Sequence, residues 1–90
     1  MFIVVAYDVT DDRRRTRLHK CLKSFGTPVQ YSVFECLLDE RRFRELKAMV
    51  RKTIDAKQDL VRYYRLCESC RTRVLAINGV VTSVQQTVIV

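Results

Sequence analysis

Phe2-Ile3-Val4-Val5-Ala6-Tyr7-Asp8 is a run of six apolar or aromatic residues that stops on a single carboxylate. Its β-branched and aromatic content predicts a strand, and its lack of alternation predicts burial on both faces. The two-residue period of a strand places Phe2, Val4, Ala6 and Asp8 on one face and Ile3, Val5 and Tyr7 on the other. Immediately beyond lies Thr10-Asp11-Asp12-Arg13-Arg14-Arg15-Thr16-Arg17. Thr10 is the expected N-cap of a helix whose first acids complement the helix dipole. An acid at a strand end beside an arginine-rich helix start points to phosphate chemistry. The carboxylate can hold a hard divalent cation, and guanidinium groups can clamp a phosphodiester.

Outward from this segment, the helix is expected to run to about Phe25, with Leu18, Cys21, Leu22 and Phe25 as its apolar stripe and Gly26 as the C-cap signal. Arg14 and Arg15 stand four and three residues before Leu18, so their stems border the buried side and their heads can reach the end of the first strand. Pro28 to Leu38 is β-rich and too long for one ordinary strand, which predicts two short strands with a turn near Tyr31 and Ser32. A second helix is expected from Asp39 or Glu40 to about Asp55. Phe43, Leu46, Val50 and Ile54 fall at helical spacing there, with Arg41, Arg42, Arg44, Arg51 and Lys52 mostly away from them. Asp59 to Leu66 and Arg73 to Asn78 read as further strands, Asn78-Gly79 as a turn, and Thr87-Val88-Ile89-Val90 as a short strand-forming tail.

Strand, helix, strand, strand, helix, strand is the order of an α+β, ferredoxin-like split βαβ fold: an antiparallel sheet with two helices on one face, here with extra C-terminal strands. The expected organisation is one domain over residues 1–78 and a C-terminal extension over 79–90 at a dimer interface. Two helices cover only one sheet face, yet the first strand is apolar throughout. The economical cover for the other face is a second copy of the chain, packed sheet to sheet about a two-fold axis. If the Asp8 face is that interface, two carboxylates converge, and a pair holds magnesium better than one. The alternative is that Asp8 only shapes the turn before the helix.

Seventeen Lys and Arg against ten Asp and Glu give a net charge of +7 on 90 residues. That field favours polyanions, with nucleic acid ahead of membrane. No apolar run approaches the roughly 20 residues of a membrane helix, and no basic region, apolar core and cleavage site open the sequence, so a cytoplasmic location without a membrane partner is expected. Of Cys21, Cys36, Cys67 and Cys70, only the last two have metal-ligand spacing. A structural zinc site wants four ligands, so reduced thiols are expected. His19 lies beside the apolar stripe and reads as a partly exposed structural imidazole.

Three segments carry a family resemblance: Tyr7-Asp8-Val9-Thr10-Asp11-Asp12, Arg15-Thr16-Arg17 and Gln30-Tyr31-Ser32-Val33-Phe34-Glu35. In that order, in a chain of this length, they resemble the small CRISPR-associated endoribonuclease that partners the CRISPR integrase during spacer acquisition. The resemblance covers nearly the whole chain. Its specific part is the Gln-x-Ser-Val-Phe-Glu segment together with the strand-terminal Tyr-Asp. It implies a ferredoxin-like homodimer joined partly by the C-terminal strand, sandwiched between integrase dimers and lying against duplex DNA. It also implies a magnesium-dependent endonuclease acting on single-stranded RNA or DNA. By position, Asp8 matches the family's magnesium-binding aspartate, Tyr7, Arg15, Arg17 and Phe34 match residues implicated in nuclease activity, and Ser32 belongs to the motif. Where some members carry an arginine shortly before the Gln-x-Ser-Val-Phe segment, this chain has Thr27-Pro28. Two other readings stay open, a non-catalytic adaptor on duplex DNA and a related RNA-cleaving toxin. Tyr7 and Phe34 also fit sheet-face packing, and Arg17 also fits a solvated helix face.

Overall fold

The structure, a computed structural model, describes residues 1–67 and the strand segments 75–76 and 88–89. In chain order the elements are β1 (Phe2–Asp8), α1 (Asp12–Lys23), β2 (Thr27–Gln30), β3 (Val33–Leu37), α2 (Glu40–Thr53) and β4 (Leu60–Leu66). The strands form one sheet in the order β2-β3-β1-β4, with each neighbouring pair antiparallel. β1 and β2 therefore run parallel on either side of β3, which is the split βαβ arrangement of a ferredoxin-like fold. The turn between β2 and β3 falls at Tyr31 and Ser32, as their composition predicts. Two further short strands, β5 (Leu75–Ala76) and β6 (Val88–Ile89), pair in parallel as a separate sheet. They lie inside the two expected C-terminal strands. The Asn78-Gly79 turn and the boundary at 78/79 lie outside the described residues.

The partition of β1 follows its alternation. Ile3, Val5 and Tyr7 pack with Leu18 and Leu22 of α1, Phe43, Leu46 and Val50 of α2, and Phe34 and Cys36 of β3 to form the core. Leu18, Leu22 and Leu46 are fully buried, and truncating any one to Ala would cost about 2–5 kcal/mol. On the opposite face Phe2 is buried, Val4 and Ala6 are half-buried and Asp8 is exposed. The same face exposes Leu37, Leu60 and Tyr64, which the register aligns with Phe2, Asp8 and Val4.

Both helices start on an aspartate. Asp11 accepts from the Arg14 amide at 2.9 Å, and Asp39 accepts from the Arg42 amide at 2.8 Å. The cap of α1 is thus Asp11 and not Thr10, one residue later than expected: a carboxylate accepts the same bond as a hydroxyl and adds charge favourable to the dipole. These bonds hold both carboxyl groups below the ordinary carboxylate range. At its other end α1 stops at Lys23, with Ser24 in a right-handed conformation donating to the Cys21 and Leu22 carbonyls. Gly26 serves packing and not the left-handed cap expected of it. A Cβ there would collide with the Cys36 Sγ and the Glu35 carbonyl, so only glycine lets the chain pass this close to β3.

α2 ends at Thr53, two residues before the expected limit, because Asp55 instead opens a turn. Its carboxylate accepts from the Lys57 amide at 3.0 Å and from the Gln58 side chain at 2.8 Å. That local bonding competes with helix continuation. Arg42 joins the two helices, donating to the Ser24 carbonyl at 3.1 Å with its guanidinium 4.2 Å from the Phe25 ring centroid.

Candidate functional site

β1 is paired with β4 to its last residue, Asp8 opposite Leu60, whereas its pairing with β3 stops at Ala6 opposite Val33. Past that point the Tyr7 amide donates to the Ser32 carbonyl at 3.0 Å. The main chain carrying Asp8 is therefore fixed on both sides, while its carboxylate lies exposed at the end of the face that the helices do not cover. Arg62, exposed and paired with Ala6, is on the same face one step along.

The loop after Asp8 is braced from α1. Arg15 donates through Nη1 to the Val9 carbonyl at 3.1 Å and the Thr10 carbonyl at 3.3 Å, and its Nη2 pairs with Asp12. Arg14 turns to the far side of the helix base, where Nε meets Asp59 Oδ2 at 2.8 Å and Nη2 meets Oδ1 at 3.2 Å. The Asp59 side chain is fully buried and also accepts from the Asp55 amide at 2.8 Å. The Arg14 guanidinium first, and that amide second, hold the Asp59 carboxyl below the usual carboxylate range. Arg14 is thereby committed to structure, and it fastens α1 to the residue immediately before Leu60, the cross-strand partner of Asp8.

Tyr7, Phe34 and His19 form one packing unit under α1. Phe34 is fully buried, with its ring centroid 6.4 Å from that of Tyr7 and 5.1 Å from that of His19, the latter edge-on. The Tyr7 hydroxyl lies 3.5 Å from His19 Nδ1. Burial, and then the neighbouring Tyr31 phenol, push the Tyr7 phenol above its ordinary value, with Arg15 opposing. Phe34 reaches no solvent and meets the surface only through its neighbours Tyr7 and His19. Ser32 enters through its carbonyl. Arg17 stands apart on the outer side of α1, lining a shallow depression with Asp12, Arg13 and Thr16. His19 is the half-exposed structural imidazole that its helical position predicts.

Among the described residues no three His, Cys, Asp or Glu side chains cluster as a metal cage. Asp8 fits magnesium in another way, since that ion commonly takes one or two carboxylates and completes its shell with water and substrate phosphate oxygens. The thiols of Cys36 and Cys21 are unsuited to the task. Burial, and then Glu35, push the Cys36 thiol up to about 11, and burial raises the half-buried Cys21. Cys67 is exposed, and Cys70 lies outside the described residues.

Two features of this region escaped the sequence reading. One is the Arg14–Asp59 pair, whose signal was an arginine in line with the apolar stripe and an acid directly before a strand. The other is the exposed Tyr31 beside the C-terminal lysines of α1, where a turn residue carried no periodic signal.

The model of the family CRISPR associated protein Cas2 matches residues 1–74. A CRISPR-associated endoribonuclease Cas2 of Chloroflexus aurantiacus is 54% identical over 66 residues, covering 73% of this chain and 71% of that protein. The crystal structure of Streptococcus pyogenes Cas2 aligns with a TM-score of 0.75 at 33% identity, covering 82% of this chain and 95% of the other. A chain of a partial Cas6-RT-Cas1-Cas2 complex aligns with a TM-score of 0.73 at 27% identity, covering 94% of this chain and 97% of that one.

Proposed function

The chain belongs to the family of CRISPR-associated protein Cas2, and from that membership we propose a homodimeric, magnesium-dependent nuclease of CRISPR adaptation centred on Asp8. The observation that carries this reading is the exposed Asp8 carboxylate at a strand end whose backbone is fixed on both sides. The endoribonuclease name of the Chloroflexus relative supports the reaction class. Pairing of two copies through the face bearing Leu37, Leu60 and Tyr64 would cover exposed apolar surface and bring the two Asp8 side chains toward one seam.

Asp8, with its symmetry mate, would hold the ion, which supplies polarisation of the scissile phosphate and a more acidic bound water. The remaining work falls to the chain's own residues. Arg15 keeps the Val9–Thr10 loop in place and so positions Asp8. Arg17, outside every ion pair among the described residues, can neutralise phosphate charge. Tyr7 and Phe34 form the packed floor behind the strand end. The substrate class is a single-stranded nucleic acid. The test is cleavage of an end-labelled RNA strand by the full chain: it should appear with magnesium and vanish with EDTA, and magnesium-independent cleavage would overturn the proposal.

A second reading has its own support and is compatible with the first. The alignment to a chain of a complex with Cas1, the +7 charge and the exposed Arg13, Arg17, Arg44 and Arg51 favour an adaptor that holds duplex DNA against the integrase. The toxin alternative gives way to the family match.

A further inference from the structure

We propose that the groove between α1 and the β2–β3 turn is a binding site for one unpaired nucleotide of a single strand, with Tyr31 as the stacking platform and Lys20 and Lys23 as phosphate contacts. This rests on the nucleic-acid reading above and deepens it by assigning a site to Tyr31, Lys20 and Lys23, which the Asp8 chemistry does not use.

The groove encloses about 430 Å³, within the range of roughly 300–1,000 Å³ typical of small-ligand pockets. Among the described residues no carboxylate lines it. Tyr31 is 81% exposed, the most exposed of the large hydrophobic side chains among the described residues, and its ring stacks on no other ring there. An aromatic face held in water at a hairpin tip is the surface on which an unpaired base stacks, whatever its identity. Lys20 and Lys23, one turn apart at the end of α1, form no ion pair among the described residues, whereas Arg14, Arg15, Arg41, Arg42 and Arg65 are all engaged. Their charges are free for phosphate. Gln30 and the His19–Tyr7 pair line the groove with donors and acceptors for a base edge. Bases within a duplex already stack on each other, so a paired strand gains nothing from Tyr31.

The experiment measures fluorescence anisotropy of the full chain with a labelled, mixed-sequence RNA strand and with a DNA duplex of equal length, both in EDTA. Tyr31→Ala should weaken binding of the strand about tenfold, the loss expected for one base stack, and leave duplex affinity within about twofold. Tyr31→Phe should bind as the parent does. Joint replacement of Lys20 and Lys23 by Ala should lower the slope of log affinity against log salt for the strand by about 1.4. Unchanged strand affinity in Tyr31→Ala, or an equal loss for strand and duplex, overturns this site while leaving the Asp8 reading intact. If the parent chain binds neither nucleic acid, this site and the adaptor reading fall together, while magnesium-dependent cleavage still decides the Asp8 reading.

Discussion

The Arg14 guanidinium closes on the buried carboxylate of Asp59 across 45 residues of sequence, through bonds of 2.8 Å and 3.2 Å. This pair joins the first turn of α1 to the entrance of β4, and β4 in turn pairs with Asp8 through Leu60. A charge pair in the scaffold thus ties the base of α1 to the strand that pairs with Asp8. Removing Arg14 would leave the Asp59 carboxylate buried without its charge partner, the costly way to break such a pair, whereas removing the Asp59 charge leaves Arg14 partly exposed with only Asp11, at 4.0 Å, as an ion-pair partner.

Asp59→Asn should therefore lower the melting temperature at pH 7 by about 5–10 °C, by calorimetry or circular dichroism. The sign with pH is fixed by the depressed Asp59 carboxyl. Its stabilising contribution is present above the unfolded carboxylate value of about 3.9 and is lost as pH falls through the lower folded value. Below about pH 4 the difference between parent and variant should shrink. Asp11 and Asp39 are depressed as well, feel no Asp59 charge, and cancel in the comparison, whereas Asp55, which the Asp59 charge pushes up, is depressed further in the variant. A gap that widens in acid would contradict the assignment.

Gly26→Ala should destabilise the fold by about 1–3 kcal/mol in urea titration, as overpacking does. The added methyl meets both the Cys36 sulfur and the Glu35 carbonyl. Adding Cys36→Ala should recover only part of the loss, because the carbonyl belongs to the central ladder of the sheet. Full recovery would show that the side chain alone sets the limit.

The Cys36 thiol, buried and raised to about 11, should resist iodoacetamide at pH 8 in the native protein, while the exposed Cys67 reacts. Peptide mass spectrometry before and after denaturation reads this directly. Fast native labelling of Cys36 would mean that β3 opens readily.

Duplex binding by the adaptor face should fall steeply with salt. Arg17→Ala should flatten the slope of log affinity against log salt by about one, with little change in melting temperature because Arg17 is exposed and unpaired among the described residues. An unchanged slope would place the duplex elsewhere.

The sequence carried the architecture well because periodicity reports burial. Leu18 and Leu22, Phe43, Leu46 and Val50 announced their helix faces, and Ile3, Val5 and Tyr7 announced theirs on β1. The position of Asp8 followed from the same alternation. Long-range partners were less legible. Nothing near Arg14 in sequence names Asp59, and no periodicity announces the bonds of Arg15 to the Val9 and Thr10 carbonyls. The cap at Asp11 was misplaced by one residue because Thr10, Asp11 and Asp12 are all competent caps, and only the strand end decides among them. Gly26 was correctly located but for the wrong reason, since close approach to β3 is a tertiary fact.

The most direct test compares parent and Asp8→Asn chains in single-turnover cleavage of an end-labelled RNA strand in magnesium, with duplex affinity measured on the same preparations. If Asp8 is the hydrolytic centre, the rate constant falls about a hundredfold or more while duplex affinity and melting temperature stay unchanged. Undiminished cleavage by Asp8→Asn would contradict it.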